Sequence, residues 1–260
     1  MRTLTARTAD GQPMAVTARN GDSSQPTVIF IHGWTCRRDY WEPQIEALPD
    51  DFPVLAVDLP GHGDTAASDR SAWTIESLAA DVEQLVQDEA IGSTILVGHS
   101  MGGAVALEAA ARLGKRAAGV ILVDTFVIDY GGLDAEAQEG IHKGFRDDFA
   151  GAIVELINNT STDATPASLR ERLSTEMVEA DPEWALPLWK SLLAWTPEKA
   201  FSSLTFKVHA INGGLIPDSA RERWGNRMTE TILPEAGHFL QMEAPREFNP
   251  HLVAAIRHYA

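Results

Sequence analysis

Gly98-His99-Ser100-Met101-Gly102 sets a serine between two glycines, directly after the apolar run Thr94-Ile95-Leu96-Val97 and before the helix-forming run Ala104 to Ala109. A serine hydroxyl is a poor nucleophile unless a base takes its proton as it attacks. On a sharp strand-to-helix turn the hydroxyl stands clear of the backbone. Glycines at 98 and 102 remove the side chains that would collide where strand, turn and helix crowd together. The pattern predicts attack by Ser100 on a carbonyl.

The base must be a histidine, and the chain has eight. His238 lies in Pro234-Glu235-Ala236-Gly237-His238-Phe239, a loop between the strand-like run Thr229 to Leu233 and a last helix opening near Pro245. A loop lets the imidazole reach over the carboxyl edge of a sheet. His209 falls inside a strand, and His251 and His258 fall on the final helix, where packing or a solvated surface accounts for them. The oxyanion formed by attack needs preorganised N–H donors. The N–H of Met101, at the start of the helix, is one. The N–H of Trp34, in Ile31-His32-Gly33-Trp34-Thr35, is expected to be the other.

The elements that position these groups follow from the apolar pattern. Residues 3 to 8 and 14 to 19 alternate around Asp10-Gly11-Gln12-Pro13, as in a hairpin. Beyond residue 26 the short runs at 28–31, 54–57, 95–97, 120–123 and 208–211 are continuously apolar, so both strand faces are covered. Helical patterns near 39–48, 74–88, 101–113 and 246–258 lie between and after them. Strand and helix therefore alternate into an α/β fold, a mostly parallel sheet with helices on both faces. The alternation fails from 125 to 205, where amphipathic helical segments follow one another. This predicts a helical cap inserted after the strand ending at Asp124, with 1–124 and 206–260 as the core. Thr165 or Ser168 is expected to cap a helix in the insertion. Its tryptophans, Trp184, Trp189 and Trp195, need burial on its inner side, as cap packing or as pocket lining together with His32 and Gly33.

His32-Gly33-Trp34, Asp58-Leu59-Pro60-Gly61-His62-Gly63, Gly98 to Gly103 and Gly237-His238-Phe239 occur in an order and spacing that resembles the α/β-hydrolase superfamily, in its capped, carboxylesterase-like subclass. The resemblance runs from about residue 25 to the C-terminus. It implies that 125–205 is a lid and that substrate lies between lid and sheet edge. It also implies a third member, an acid, and here the chain departs from the family pattern. The usual slot follows a glycine after the penultimate strand, but Asn212-Gly213-Gly214-Leu215-Ile216-Pro217 holds no carboxylate. Asp124, at the end of its strand, is the first candidate. Asp218 is the alternative, although the start of a helix suits it. Asp58 to Gly63 is architectural in the family, and Glu243, on the histidine's own loop, is taken as structural.

The 37 acidic against 21 basic residues give a net charge of −16, which repels nucleic acid and anionic lipid. Residues 125–205 hold 14 acidic and six basic residues, so the insertion has a solvated outer face. One cysteine, Cys36, excludes an intrachain disulfide; its small thiol is read as buried packing beside the proposed oxyanion loop. No apolar stretch approaches the ~18 residues of a membrane span, and the N-terminus has no signal-like core. A cytoplasmic protein is expected, a monomer or homodimer, with no metal and no cofactor. The expected partner is a small or medium apolar ester. Lactones, thioesters and C–C bonds remain open to the same machinery, as do a ligand sensor with negligible turnover and a cofactor-free oxygenase or perhydrolase.

Overall fold

A computed structural model describes residues 1–67 and 70–260. Among the described residues eight strands form one sheet: β1 (Arg2–Arg7), β2 (Pro13–Arg19), β3 (Thr27–Ile31), β4 (Val54–Val57), β5 (Thr94–His99), β6 (Ala117–Val123), β7 (Val208–Gly213) and β8 (Met228–Leu233), in the order β1-β2-β4-β3-β5-β6-β7-β8. The hairpin of β1 and β2 joins β4 antiparallel, and every pairing from β4 to β8 is parallel. The chain leaves β3 for β4 on one side and then crosses back to β5 on the other. The loops after β3 and β5 therefore diverge and open a crevice at the carboxyl edge, where parallel sheets bind ligands.

Continuous apolar strands demand cover on both faces. Val28 and Phe30 pack with Trp41, Ile45, Phe248 and Leu252, whereas Ile29 and Ile31 pack with Leu78, Val82, Met101 and Leu107. Successive side chains of a strand point to opposite faces, so one run feeds two cores. α1 (Glu42–Ala47), α10 (Leu240–Glu243) and α11 (Pro245–Tyr259) serve the first core; α2 (Ile75–Asp88) and α3 (Met101–Leu113) serve the second. A capping box starts α2, with Thr74 and Ser77 each bonding the other's N–H.

Between β6 and β7 lie α4 (Ala135–Asp147), α5 (Phe149–Asn159), α6 (Ala167–Met177), α7 (Pro182–Ala194) and α8 (Glu198–Ser203), with no strand among the described residues there. After β7 comes α9 (Asp218–Trp224). Side-chain bonds fasten the five-helix segment to the rest. Trp34 Nε1 donates to the Ala185 carbonyl at 3.0 Å, Trp195 Nε1 to Glu108 at 2.9 Å and the Tyr40 hydroxyl to Glu176 at 2.6 Å. One local expectation is corrected. Pro166, not Thr165 or Ser168, stands at the N-cap of α6 and makes no side-chain cap bond. The Thr165 hydroxyl is engaged elsewhere, accepting from the Thr162 N–H and donating to Glu243. Among the described residues no helix is long and apolar enough to cross a membrane.

Candidate active site

Three parallel strands bring the proposed groups to one edge. Ile31 pairs with Gly98 across β3 and β5, His99 with Val123 across β5 and β6, and Val123 with Ile211 across β6 and β7. The loop bearing Trp34, the elbow bearing Ser100 and the strand end bearing Asp124 therefore stand side by side. Ser100 takes φ 53° and ψ −122°, a conformation unusual for a residue with a Cβ. Its N–H donates to the Val123 carbonyl at 2.9 Å, and its carbonyl accepts from Gly103 at 2.9 Å. The elbow is packed against β3 so closely that a Cβ at Gly102 would lie 2.3 Å from the Ile31 carbonyl oxygen. Strain held by surrounding contacts in this way is a mark of functional sites.

Asp124 is fully buried at the end of β6, in the left-handed region with φ 49°. Its N–H donates to the Ile211 carbonyl at 3.1 Å, and its Oδ1 accepts the Gly213 N–H at 2.7 Å. These bonds orient Oδ2, which lies 2.7 Å from His238 Nδ1. A carboxylate only accepts, so Nδ1 carries the proton and Nε2 is left as the basic nitrogen. Asp218 stands apart from this pair. It opens α9 with its side chain 96% exposed, 3.7 Å from Arg221.

The neighbouring histidines are fixed and neutral. His99 Nε2 donates to the His238 carbonyl at 2.9 Å; burial, and then the adjacent His238, hold its pKa well below the ordinary imidazole value. His32 donates Nδ1–H to the Gly33 carbonyl and accepts the Leu59 N–H at Nε2, tying the loop after β3 to the loop after β4. Burial lowers its pKa to about 4. The N–H groups of Trp34 and Met101 make no hydrogen bond to another group among the described residues. A Cβ at Gly33 would sit 3.4 Å from Ser100 Cβ, so the Trp34 loop lies against the elbow.

Ser100 and His238 line a common cavity of about 30 Å³. That space suits about one or two water molecules. Its other walls include Gly33, Trp34, Cys36, Tyr130, Ile157, Met177 and Trp189. Among the described residues no hydrogen bond joins Ser100 Oγ to His238 Nε2; such bonds commonly tighten only in the substrate complex.

Of the residues expected in a pocket, Gly33 and Trp189 line this cavity, while His32, Trp184 and Trp195 do not. His32 is spent on the loop bonds just described. Trp184 packs on His62, with ring centroids 4.4 Å apart, and Trp195 reaches Glu108. Trp189 stacks on Trp34 at 4.6 Å. Tyr130, Ile157 and Met177 carry no sequence signal that separates them from ordinary core residues.

A family model described as "Alpha/beta hydrolase family" matches residues 28–251. The dihydrolipoyllysine-residue acetyltransferase component of the acetoin cleaving system of Cupriavidus necator is 27% identical over 248 residues, which cover 89% of this chain and 63% of that protein. A lipase of Mycobacterium tuberculosis is 35% identical over 109 residues, covering 42% of this chain and 41% of the lipase. The chain thus spans less than two thirds of the length of either curated relative. Among solved structures, an esterase from Exiguobacterium antarcticum superposes with a TM-score of 0.86 at 17% identity, covering 98% of this chain and 100% of the other.

Proposed function

The chain belongs to the alpha/beta hydrolase family, and on that footing we propose that it is a serine hydrolase, a carboxylesterase cleaving small or medium apolar esters through an acyl-enzyme on Ser100. The observation that carries this reading is the strained Ser100 on one cavity wall with His238, hydrogen-bonded to the fully buried Asp124 behind it, on another.

In the proposed reaction His238 Nε2 takes the Ser100 proton as Oγ bonds to the ester carbonyl carbon. Asp124 keeps the proton on Nδ1 and stabilises the imidazolium. The oxygen that gains charge is held by the N–H groups of Trp34 and Met101; loss of one such donor typically costs about 3 kcal/mol of transition-state stabilisation. The tetrahedral species collapses, the bond to the alkoxide breaks and His238 returns the proton to that oxygen. Water, deprotonated by His238, then attacks the acyl carbon and releases the acid and Ser100. The apolar walls formed by Trp34, Ile157, Met177 and Trp189 favour an uncharged acyl group, and residues 125–205 act as the lid over it.

Treatment with a fluorophosphonate, read by intact mass, tests the nucleophile. The wild type is expected to gain one adduct and Ser100→Ala none. A wild type that stays unlabelled under conditions that label a control serine esterase ends this reading.

A further inference from the structure

The backbone around His238 belongs to no regular element, yet the N–H groups of Gly237, His238 and Phe239 are all hydrogen-bonded. The N–H of Gly237 donates to Glu243 Oε2 at 2.8 Å and that of Phe239 to Glu243 Oε1 at 2.9 Å, so one carboxylate grips the chain on both sides of the histidine. The N–H of His238 itself donates to the Thr160 carbonyl at 2.8 Å, and its carbonyl accepts from His99. Glu243 Oε2 also accepts the Thr165 hydroxyl at 2.9 Å, and the Thr162 hydroxyl donates to the Glu235 carbonyl at 2.7 Å. Thr160, Thr162 and Thr165 all lie in the turn between α5 and α6, within the helical segment above the site. A Cβ at Gly237 would stand 2.7 Å from the Thr160 carbonyl oxygen and 3.0 Å from Glu243 Oε1, so the clamp closes only around glycine.

We propose that Glu243 is a positioning residue for His238: its carboxylate fixes the backbone that aims the imidazole at Asp124 and, through Thr165, locks that aim to the α5–α6 turn. The inference rests on the reading of His238 as the base. Charge-assisted bonds from backbone N–H groups to a carboxylate are short and strong. Two of them on one residue set both the place and the tilt of the segment between. Glutamine cannot replace the pair, because its amide offers one acceptor and presents N–H₂ to the other donor. A catalytic group shifted by about 1 Å loses on the order of a hundredfold in rate. Substrate does not touch Glu243 in this scheme, so the loss falls on turnover and not on binding.

The groups that face His238 are Asp124, His99 and Ser100, and none is altered by the substitutions that test the proposal. Glu243→Gln is expected to lower kcat on p-nitrophenyl acetate by about ten- to a hundredfold, counted per active site by fluorophosphonate titration, with KM within about threefold. Its pH–rate limb differs from that of the wild type, since the imidazole no longer keeps its bond to Asp124. Thr165→Val, which keeps the shape and removes the hydroxyl, shows a smaller change in the same direction, and Thr165→Ser restores the wild-type profile. The imidazole is also read directly: the Nδ1 proton between His238 and Asp124 gives a downfield NMR signal, identified by its loss in His238→Ala, that shifts or broadens in Glu243→Gln. A folded Glu243→Gln with wild-type kcat, pH limb and signal overturns the proposal. So does a loss of activity that vanishes once counted per active site. Should Glu243→Gln fail to fold, Thr165→Val with its unchanged profile would overturn it alone. An unlabelled wild type whose His238 signal still moves in Glu243→Gln sinks the hydrolase reading and upholds the positioning.

Discussion

Asp124 and His238, 114 residues apart in the chain, meet through a 2.7 Å bond between Oδ2 and Nδ1, with the aspartate fully buried and its other oxygen held by the Gly213 N–H. The second bond matters as much as the first. It prevents the carboxylate from rotating, so the histidine has one acceptor in one place and one tautomer.

Asp124→Asn should therefore leave the packing almost intact while presenting an amide N–H to Nδ1, favouring the wrong tautomer. By analogy with the serine triad, kcat for p-nitrophenyl acetate is expected to fall by about 10⁴. Asp218→Asn, at a side chain 96% exposed, should change it less than twofold, a small effect of the order of experimental scatter. Equal activity of wild type and Asp124→Asn would remove Asp124 from the mechanism.

Gly102→Ala and Gly140→Ala should move stability in opposite directions. A methyl at 102 meets the Ile31 carbonyl oxygen at 2.3 Å, whereas nothing lies within 4 Å of one at 140, on an exposed turn of α4. Thermal or urea unfolding is expected to show a loss of at least about 2 kcal/mol for the first and a gain of up to about 1 kcal/mol for the second. A stable Gly102→Ala would mean that the elbow is not as tightly packed as described.

The buried histidines predict acid lability. In the folded protein burial lowers His32 to about 4 and His62 to about 3, below the ~6.5 of an exposed imidazole. The unfolded chain then binds more protons at mildly acid pH. Their contribution is complete above about pH 6.5 and is lost as pH falls towards 4 for His32 and 3 for His62. Urea titrations at pH 7.5 and pH 5 are expected to differ by about 2 kcal/mol per imidazole. Identical stabilities at the two pH values would contradict the neutral, buried state of both rings.

Asp58 should prove structural. It is fully buried; Oδ1 accepts the Arg38 N–H at 2.7 Å, Oδ2 accepts the Asp64 N–H at 2.8 Å, and the carboxylate pairs with the Arg38 guanidinium. Asp58→Ala strands these donors and is expected to cost about 3–5 kcal/mol. Calorimetry would show the fall in Tm, while the kcat of the fraction that remains folded stays near wild type.

Trp189→Ala should enlarge the cavity beside Trp34 and shift preference towards longer acyl chains. The ratio of kcat/KM for p-nitrophenyl octanoate over acetate is expected to rise about tenfold or more, given roughly 0.8 kcal/mol per buried methylene. An unchanged ratio would place the acyl chain elsewhere.

The strands were legible because a run such as Val28-Ile29-Phe30-Ile31 has no polar face, and the site was legible where local chemistry constrains it: a serine between glycines, a histidine on a loop, a short loop after β3. Other features depend on distant partners. Trp184, Trp189 and Trp195 look alike in sequence, but only the packing of α7 on Trp34 decides that Trp189 reaches the cavity. The bond from Asp124 to His238 depends on a left-handed residue at the end of β6, which aspartate tolerates but does not announce. Thr165 carried a capping signal, and it was drawn instead to a carboxylate 78 residues away. A carboxylate four residues after Phe239, on the short turn of α10, was the available sign of the clamp.

The chain's single thiol, 3% exposed, stands between the Ser100 cavity and a second recess lined by Tyr40, Gly61 and Trp184, with burial pushing its pKa up so that almost none is thiolate at neutral pH. Cys36 is therefore a built-in clock for the loosening of the wall that separates the two. Every reaction with a bulky disulfide reagent must wait for an excursion of that wall, and the labelling rate divided by that of the unfolded chain gives the fraction of time the thiol is uncovered.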